Sequence, residues 1–294
     1  MINQLEWRLK QFVDRDREMA RFGTFLDADE KLVTAVIGPA GIGKSSLKDR
    51  MIHECSLRKV SKIEIVYTDD NLPEYIAIMR RCRDDLGAEH FSALTTLINY
   101  YTDPTYKLEV TGNVRVAEGL QVTEGATVGD ITGVVIRDSM ITFPRSDLDV
   151  SEAERRAKLT EVFLKDLGGV ARQRAQIVIF IDGAEKMSEG TARWVWDVII
   201  PKIAEANIAN VRVVFFGREE PKLADGWTQQ ITDVARLSPL AISDIELYME
   251  KRGIGPDHRP ALAQMVFANS EGNPLKICNL VDGFVAFTKQ QGAA

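Results

Sequence analysis

The sequence predicts an α/β fold in which a parallel β-sheet is covered by helices on both faces. Four short runs have strand character, and three of them are apolar nearly throughout, which is typical of strands buried on both sides. Segments with helical spacing lie between these runs. Because strand and helix alternate, parallel pairing with right-handed crossovers is expected. The four runs cover residues 32–37, 63–67, 177–181 and 211–216.

The helical segments divide the chain into two parts. After residue 237 the alternation stops, and three short helical stretches follow without a strand between them. We therefore place a boundary near Leu237, with a core domain over residues 1–237 and a small C-terminal helical domain over residues 238–294. The helical segments of the core cover residues 44–56, 73–100, 151–172 and 189–207.

One segment, residues 107–143, interrupts the core with a sequence rich in Val, Thr and Gly. It predicts a β-rich insertion. Apolar residues recur there every six positions, a spacing used by β-solenoid coils. Six is also a multiple of the strand period of two, so two β-hairpins with turns at 118–119 and 124–125 are the alternative. The recurring residues are Val110, Val116, Val122, Val128, Val134 and Met140.

Composition excludes several classes of protein. The chain has 294 residues, 45% of them hydrophobic, which is enough for a substantial core. Its 37 basic and 43 acidic residues are interspersed and give a net charge of -6, so nothing points to a nucleic-acid or membrane-surface binder. The three cysteines are far apart, the N-terminus is charged, and no apolar run approaches the roughly 18 residues of a membrane span. A cytoplasmic protein without membrane contact is expected.

The most informative motif follows the first predicted strand, in the stretch VIGPAGIGKSS at residues 36–46. It fits G-x-x-x-x-G-K-[ST], and it lies between a strand and a helix, as the phosphate-binding P-loop requires. Glycines let backbone N–H groups turn toward a β-phosphate at the positive end of the next helix. The loop residues are Gly38, Pro39, Ala40, Gly41, Ile42 and Gly43.

Three side chains after the loop complete this phosphate site. Lys44 is expected to reach the β- and γ-phosphate oxygens of a nucleotide, and Ser45 to offer its hydroxyl to Mg²⁺. Ser46 is expected to donate to the α-phosphate. The sequence therefore predicts binding of ATP or ADP together with Mg²⁺.

A metal held by phosphates and one serine needs a carboxylate at the end of a neighbouring strand. Asp182 follows five apolar residues in IVIFID and should emerge at the same edge of the sheet. Glu185 is the nearest carboxylate that could polarise an attacking water. The alternative for Glu185 is a place in the N-terminal cap region of the helix that starts near Ser188, where acidic residues are favoured.

Arg218 follows the next strand, in FFGREEP, and should face the same edge. A cation there could sense the γ-phosphate and stabilise charge during its transfer. The alternative is a surface arginine that pairs with Glu219 or Glu220, which would contribute little.

Five segments together resemble the STAND class of P-loop ATPases, which have NACHT-like or AAA+-like cores. The resemblance covers nearly the whole chain, and it implies a P-loop NTPase core of the ASCE type followed by a helical lid. The order and spacing of all five segments carry it. They are FVDRDREMARF at 12–22, GPAGIGKS, FIDGAE, FFGREEP and GNPL at 272–275.

The resemblance assigns further residues to the nucleotide. It implies that the turn containing Phe12, Val13 and Arg15 covers the adenine, and that Pro274 touches the base from the other side. It also makes Asp182 and the following glycine the start of the Walker B motif. Lys186 stands where related proteins carry a second acid, and no glutamate directly follows Asp182, so slow hydrolysis is expected.

Two functions are compatible with these motifs. The resemblance implies an ATP-driven switch that assembles with itself or with partners, as in a bacterial signalling or defence system. The alternative is an AAA+-like ATPase that acts on DNA. The excess of acidic over basic residues disfavours it. A small-molecule kinase is the least favoured function, because no sequence pattern indicates a pocket for a phosphate acceptor. The insertion at 107–143 is the predicted contact for a partner or neighbouring subunit, since exposed sheet edges template strand pairing.

Overall fold

The structure is a computed structural model. Between residues 103 and 150 it describes only four short strands; elsewhere it describes residues 12–27, 31–102, 151–205, 208, 210–220 and 232–292.

The core is a five-stranded, entirely parallel sheet, which confirms the predicted fold class. The strand order is β2-β7-β8-β1-β9. All four predicted strands are present, and β9 is an additional one. The strands are β1 (Val33–Ile37), β2 (Ser61–Val66), β7 (Ile177–Asp182), β8 (Val211–Gly217) and β9 (Thr232–Arg236).

The sequence did not reveal β9 because this strand lies at the edge of the sheet and is polar. Among the strands that the structure describes, β1 alone pairs with it, and charged residues are common on such edge strands. Asp233 of β9 accepts a hydrogen bond of 2.8 Å from Arg21 Nε, and its carbonyl accepts one of 3.2 Å from Thr34 Oγ1. The edge is therefore held partly by polar contacts.

Seven helices belong to the core region in the part of the chain that the structure describes. The predicted segment 73–100 forms two helices, because Gly87 has φ 107° and a 3-10 turn follows it. A side chain disfavours that backbone conformation. The helices are α1 (Asp16–Asp27), α2 (Lys44–Leu57), α3 (Tyr75–Leu86), α4 (Ser92–Thr102), α5 (Glu152–Gln173), α6 (Glu189–Arg193) and α7 (Ile200–Glu205), with a π-helical stretch (Trp194–Ile199) between the last two.

The core side chains pack in one apolar layer on each face of the sheet. Phe180 of β7 packs with Phe22 and the buried face of α2, whereas Ile179 and Ile181 pack with α3 to α7 on the opposite face. Alternate residues of one strand thus enter different layers, which explains why the strand is continuously apolar. Trp194 is buried, and its Nε1 donates to Thr160 Oγ1 at 2.8 Å.

The C-terminal region contains α8 (Ile242–Lys251), α9 (Arg259–Ser270) and α10 (Pro274–Gly292). These helices enclose a separate apolar cluster that includes Leu240, Ile245 and Val281. Leu237, by contrast, packs with the core and donates its backbone N–H to Ile37 O at 2.8 Å. The change of packing partner falls between Leu237 and Leu240, close to the predicted boundary. We call the helical part the lid.

Within the insertion, four strands form two antiparallel pairs. These are β3 (Val114–Arg115) with β4 (Gln121–Val122), and β5 (Gly133–Ile136) with β6 (Ser139–Thr142). Strands of a hairpin pair in antiparallel fashion, whereas strands of stacked solenoid coils pair in parallel. The observed pairing therefore favours hairpins. The second pair lies entirely C-terminal to 124–125, so a turn at that position does not join its two strands. Both predicted turns, at 118–119 and 124–125, lie outside the described residues.

We expect Gly272→Ala to destabilise the lid much more than Gly253→Ala. Both glycines have left-handed backbone conformations, with φ 74° and 81°, so each substitution carries a strain of about 1–2 kcal/mol. At Gly272 a Cβ would also clash with Leu240 O, whereas no atom of the described residues lies within 4 Å of one at Gly253. Urea denaturation of both variants measures the difference. Equal losses in the free energy of unfolding would contradict the packing described here.

Candidate functional site

The loop between β1 and α2 has the geometry of an anion-binding cradle. Gly41 and Gly43 have φ 76° and 95°, and α2 starts with Gly43 at its N-cap without a side-chain cap. The first N–H groups of the helix are therefore left for a ligand. Ile42 between the glycines is buried in the layer formed by α1 and α2. This anchor fixes the loop on the core.

Lys44 lies across this loop. Its Nζ donates to Gly38 O at 2.7 Å and to Pro39 O at 3.0 Å. Burial lowers the pKa of Lys44 from its ordinary value, although Glu185 and Asp182 partly offset that effect. The ammonium group is thus held against the loop by two of its backbone carbonyls.

Asp182 reaches the loop from a more distant strand than the sequence suggested. β8 lies between β1 and β7, so the predicted placement on a neighbouring strand is wrong. Asp182 is nevertheless close to α2, because Ser45 Oγ donates to Asp182 Oδ2 at 3.3 Å. A hydroxyl and a carboxylate at this distance are the hard oxygen ligands that Mg²⁺ prefers, so the residues present fit the metal.

A second lysine binds the same carboxylate. Lys48 Nζ lies 3.0 Å from Asp182 Oδ2 and 2.6 Å from Glu64 Oε1, with only 7% of its side chain exposed. Burial opposes the charge of Lys48, but Glu64 and Asp182 outweigh it and raise its pKa. Lys48 was not among the residues predicted from the sequence. Its spacing of four from Lys44, which puts both on one helix face, was the available signal.

Glu185 and Arg218, both predicted from strand ends, contact each other. Arg218 Nε lies 3.3 Å from Glu185 Oε1, so the alternative pairing with Glu219 or Glu220 is wrong; Glu220 pairs with Arg236 instead. Glu185 lies in a 3-10 turn, Ala184–Lys186, that precedes the helix cap at Ser188. The sheet therefore brings the two candidate catalytic side chains together at one edge.

The N-terminal segment is clamped to the loop through Arg15. This residue is buried, with φ 75°, and its Nη2 donates to Ser238 O at 2.8 Å and to Ile42 O at 3.3 Å. The guanidinium thus joins the N-terminal segment, the phosphate loop and the connection to the lid. Because its hydrogen bonds go to backbone carbonyls, Arg15 has a structural role. The predicted contact of this segment with a base is a separate role.

The lid contacts the phosphate loop directly. Asn273 Nδ2 donates to Ala40 O at 3.1 Å, and the Leu275 N–H donates to Gly41 O at 3.1 Å. Asn273 Oδ1 also accepts from the N–H groups of Leu275 and Lys276, at 3.1 and 3.3 Å, and so caps α10. Pro274 was among the residues predicted from the sequence, whereas Asn273 was not. One side chain therefore starts the last lid helix and docks it on the loop.

A cavity of about 220 Å³ lies between the loop, the N-terminal segment and the lid. Its walls are largely apolar, and one side carries polar groups. There Tyr248 Oη donates to Asp282 Oδ1 at 3.3 Å, and Arg252 pairs with the same oxygen at 2.5 Å. Burial is the main cause that raises the pKa of Tyr248. The lining residues are Phe12, Val13, Arg15, Ile42, Gly43, Ser46, Leu240, Tyr248, Pro274, Ile277, Cys278 and Asp282.

Comparison with solved structures supports the assignment of the fold. Cdc6p from Pyrobaculum aerophilum superimposes with a TM-score of 0.52 at 13% identity, over 96% of this chain and 64% of that one. The chain therefore shares the α/β P-loop NTPase fold of this solved structure. No protein-family model matches it, and no curated protein sequence is significantly similar.

Two further solved P-loop ATPases match with lower scores. A Walker-type ATPase of Pyrococcus abyssi gives a TM-score of 0.49 at 12% identity, over 92% of this chain and 67% of that one. A STAND protein with a tetratricopeptide repeat sensor from Pyrococcus horikoshii gives 0.43 at 14% identity, over 90% and 29%. The chain thus spans between 29% and 67% of the three solved chains. None of its described helices is long and apolar enough to cross a bilayer.

We expect Asn273→Ala to loosen the lid from the P-loop. The substitution removes an N-cap, which is worth about 1 kcal/mol, and a hydrogen bond worth roughly 0.5–1.5 kcal/mol. Amide hydrogen exchange should become faster in the loop and at the start of α10. Asn269→Ala is the matched control, because Asn269 bonds only within its own helix, to Met265 O. Equal protection in both variants would show that Asn273 does not dock the lid.

Proposed function

We propose that this chain is an ATP-dependent switch that binds ATP with Mg²⁺ between core and lid and hydrolyses it slowly. The main support is the direct contact of lid residues 273–275 with the P-loop. Because loop and lid also share one cavity, a nucleotide bound there would touch both. The nucleotide state would then determine how firmly the lid is held.

Each part of the nucleotide has a matching group. The loop amides and Lys44 would hold the β- and γ-phosphates, and Ser46 the α-phosphate. The base would enter the cavity between Phe12 and Val13 on one side and Pro274 on the other. Ser45 would ligate Mg²⁺ and Asp182 would hold its water shell. When bound, the metal neutralises charge on the phosphate oxygens.

For hydrolysis, the contact between Glu185 and Arg218 is the important feature. Glu185 would orient a water molecule and accept its proton, while Arg218 and Lys44 balance charge on the departing γ-phosphoryl group. In the structure Arg218 is within ion-pair distance of Glu185. A γ-phosphate that attracts Arg218 would release Glu185 for the water. Since this rearrangement must precede the reaction, slow turnover is expected.

The output of the switch would be assembly or signalling with partners, including in bacterial signalling or defence. The insertion at 107–143 is the proposed contact surface for a second copy or another protein. Action on DNA is the second candidate. It is less favoured because the net charge of the chain is -6 and phosphate-backbone binding requires basic surfaces.

The test is the size of the full chain with ADP and with a non-hydrolysable ATP analogue. We expect different hydrodynamic radii or oligomers in the two states. Lys44→Ala should weaken ATP binding by at least about tenfold, the worth of one charge-assisted hydrogen bond, and should abolish the difference. Glu185→Gln should retain the ATP form and lose turnover.

Lys202→Ala, a substitution of an exposed lysine on α7, is the matched control and should behave as the wild type. A wild-type protein that binds ATP but has one size in every nucleotide state would contradict the switch. Binding that depends on added DNA would favour the second candidate.

A further inference from the structure

An ion triad is centred on Lys48, one turn into the helix that follows the P-loop, and none of its residues is among those that line the cavity. Lys48 Nζ is placed between Asp182 Oδ2, at 3.0 Å, and Glu64 Oε1, at 2.6 Å. The side chains of Lys48 and Asp182 are 7% and 12% exposed, whereas that of Glu64 is 38% exposed. The lysine is thus buried with one carboxylate and shares its charge with a second, more hydrated one.

The geometry at Asp182 gives this triad a functional meaning. Lys48 Nζ and Ser45 Oγ both contact the same carboxylate oxygen, Oδ2. Ser45 and Asp182 are the residues that fit Mg²⁺ at this site. A fixed ammonium therefore already balances the carboxylate on which the metal would depend. Burial strengthens this interaction, because charges in low dielectric are screened much less than in water.

We propose that Lys48 acts as a resident cation of the metal site, so that nucleotide binding by this chain depends only weakly on Mg²⁺. This inference rests on the proposed function, since it concerns the same nucleotide site. A carboxylate without a partner would repel the phosphates unless a metal stood between them. With Lys48 in place, that repulsion is reduced before any metal arrives, and the metal must share Asp182 with the ammonium.

Glu64 sets the strength of this effect. Its contact with Lys48 is the shorter of the two, so it draws part of the lysine charge away from Asp182. Without the charge of Glu64, Lys48 should interact with Asp182 alone. The dependence of nucleotide binding on Mg²⁺ should then become weaker still. Substitutions at Lys48 and Glu64 are therefore expected to act in opposite directions, which a general loss of stability would not produce.

The experiment measures the dissociation constant of a non-hydrolysable ATP analogue for the full chain by calorimetry, with excess Mg²⁺ and with EDTA. The ratio of the EDTA value to the Mg²⁺ value is the readout. Lys48→Met should raise this ratio by about tenfold or more, given the strength of buried charge interactions. Lys48→Arg should keep it near the wild-type value, and Glu64→Gln should lower it.

The double variant Lys48→Met with Glu64→Gln guards against misfolding, because it leaves no unpaired carboxylate at Glu64. Its ratio should match that of Lys48→Met. An unchanged ratio in both Lys48→Met and the double variant would overturn the inference while leaving nucleotide binding intact. A shift of the same sign in Lys48→Met and Glu64→Gln would overturn it too. Absence of binding by the wild type under both conditions would instead refute the proposed function.

Discussion

The carboxyl ends of three parallel strands lie in register, and this register brings the P-loop, Asp182, Glu185 and Arg218 to one edge of the sheet. Ile37 of β1 is opposite Gly217 of β8, and Asp182 of β7 is opposite Phe216. The P-loop, Arg218 and the Glu185 turn therefore begin within one residue of the same line. Parallel pairing buries both faces of these central strands, so the charged residues that directly follow them lie where the strands end. The site follows from that constraint.

The lid depends on the same edge. It contacts the P-loop through backbone carbonyls of Ala40 and Gly41, and these carbonyls keep their positions only while the glycine-rich loop is ordered by Ile42 beneath it. Arg15 adds a second link, from the N-terminal segment to Ile42 and to the connection at Ser238. A ligand that fills the cavity would contact the loop, the lid and the N-terminal segment at the same time. This coupling is what a nucleotide-dependent switch requires.

Local sequence signals revealed much of this arrangement. Apolar runs predicted four strands, and the spacing of glycines, Lys44 and Ser45 predicted the loop, because both patterns are determined over a few neighbouring residues. Contacts across the fold gave no such signal. Glu64 lies sixteen residues from Lys48 in the chain, and Asn273 is remote from Ala40. The polar strand β9 resembles a loop in sequence, since it lies at the edge of the described sheet, where charged residues are common.

The proposed switch depends on binding of a triphosphate by the loop amides and the Lys44 ammonium. Calorimetric titration of the purified chain with ATP in the presence of Mg²⁺ tests it most directly. We expect saturable binding of one ATP per chain, and competition by inorganic triphosphate, because the phosphates make the principal contacts. A folded chain that binds none of ATP, ADP and GTP would contradict the account.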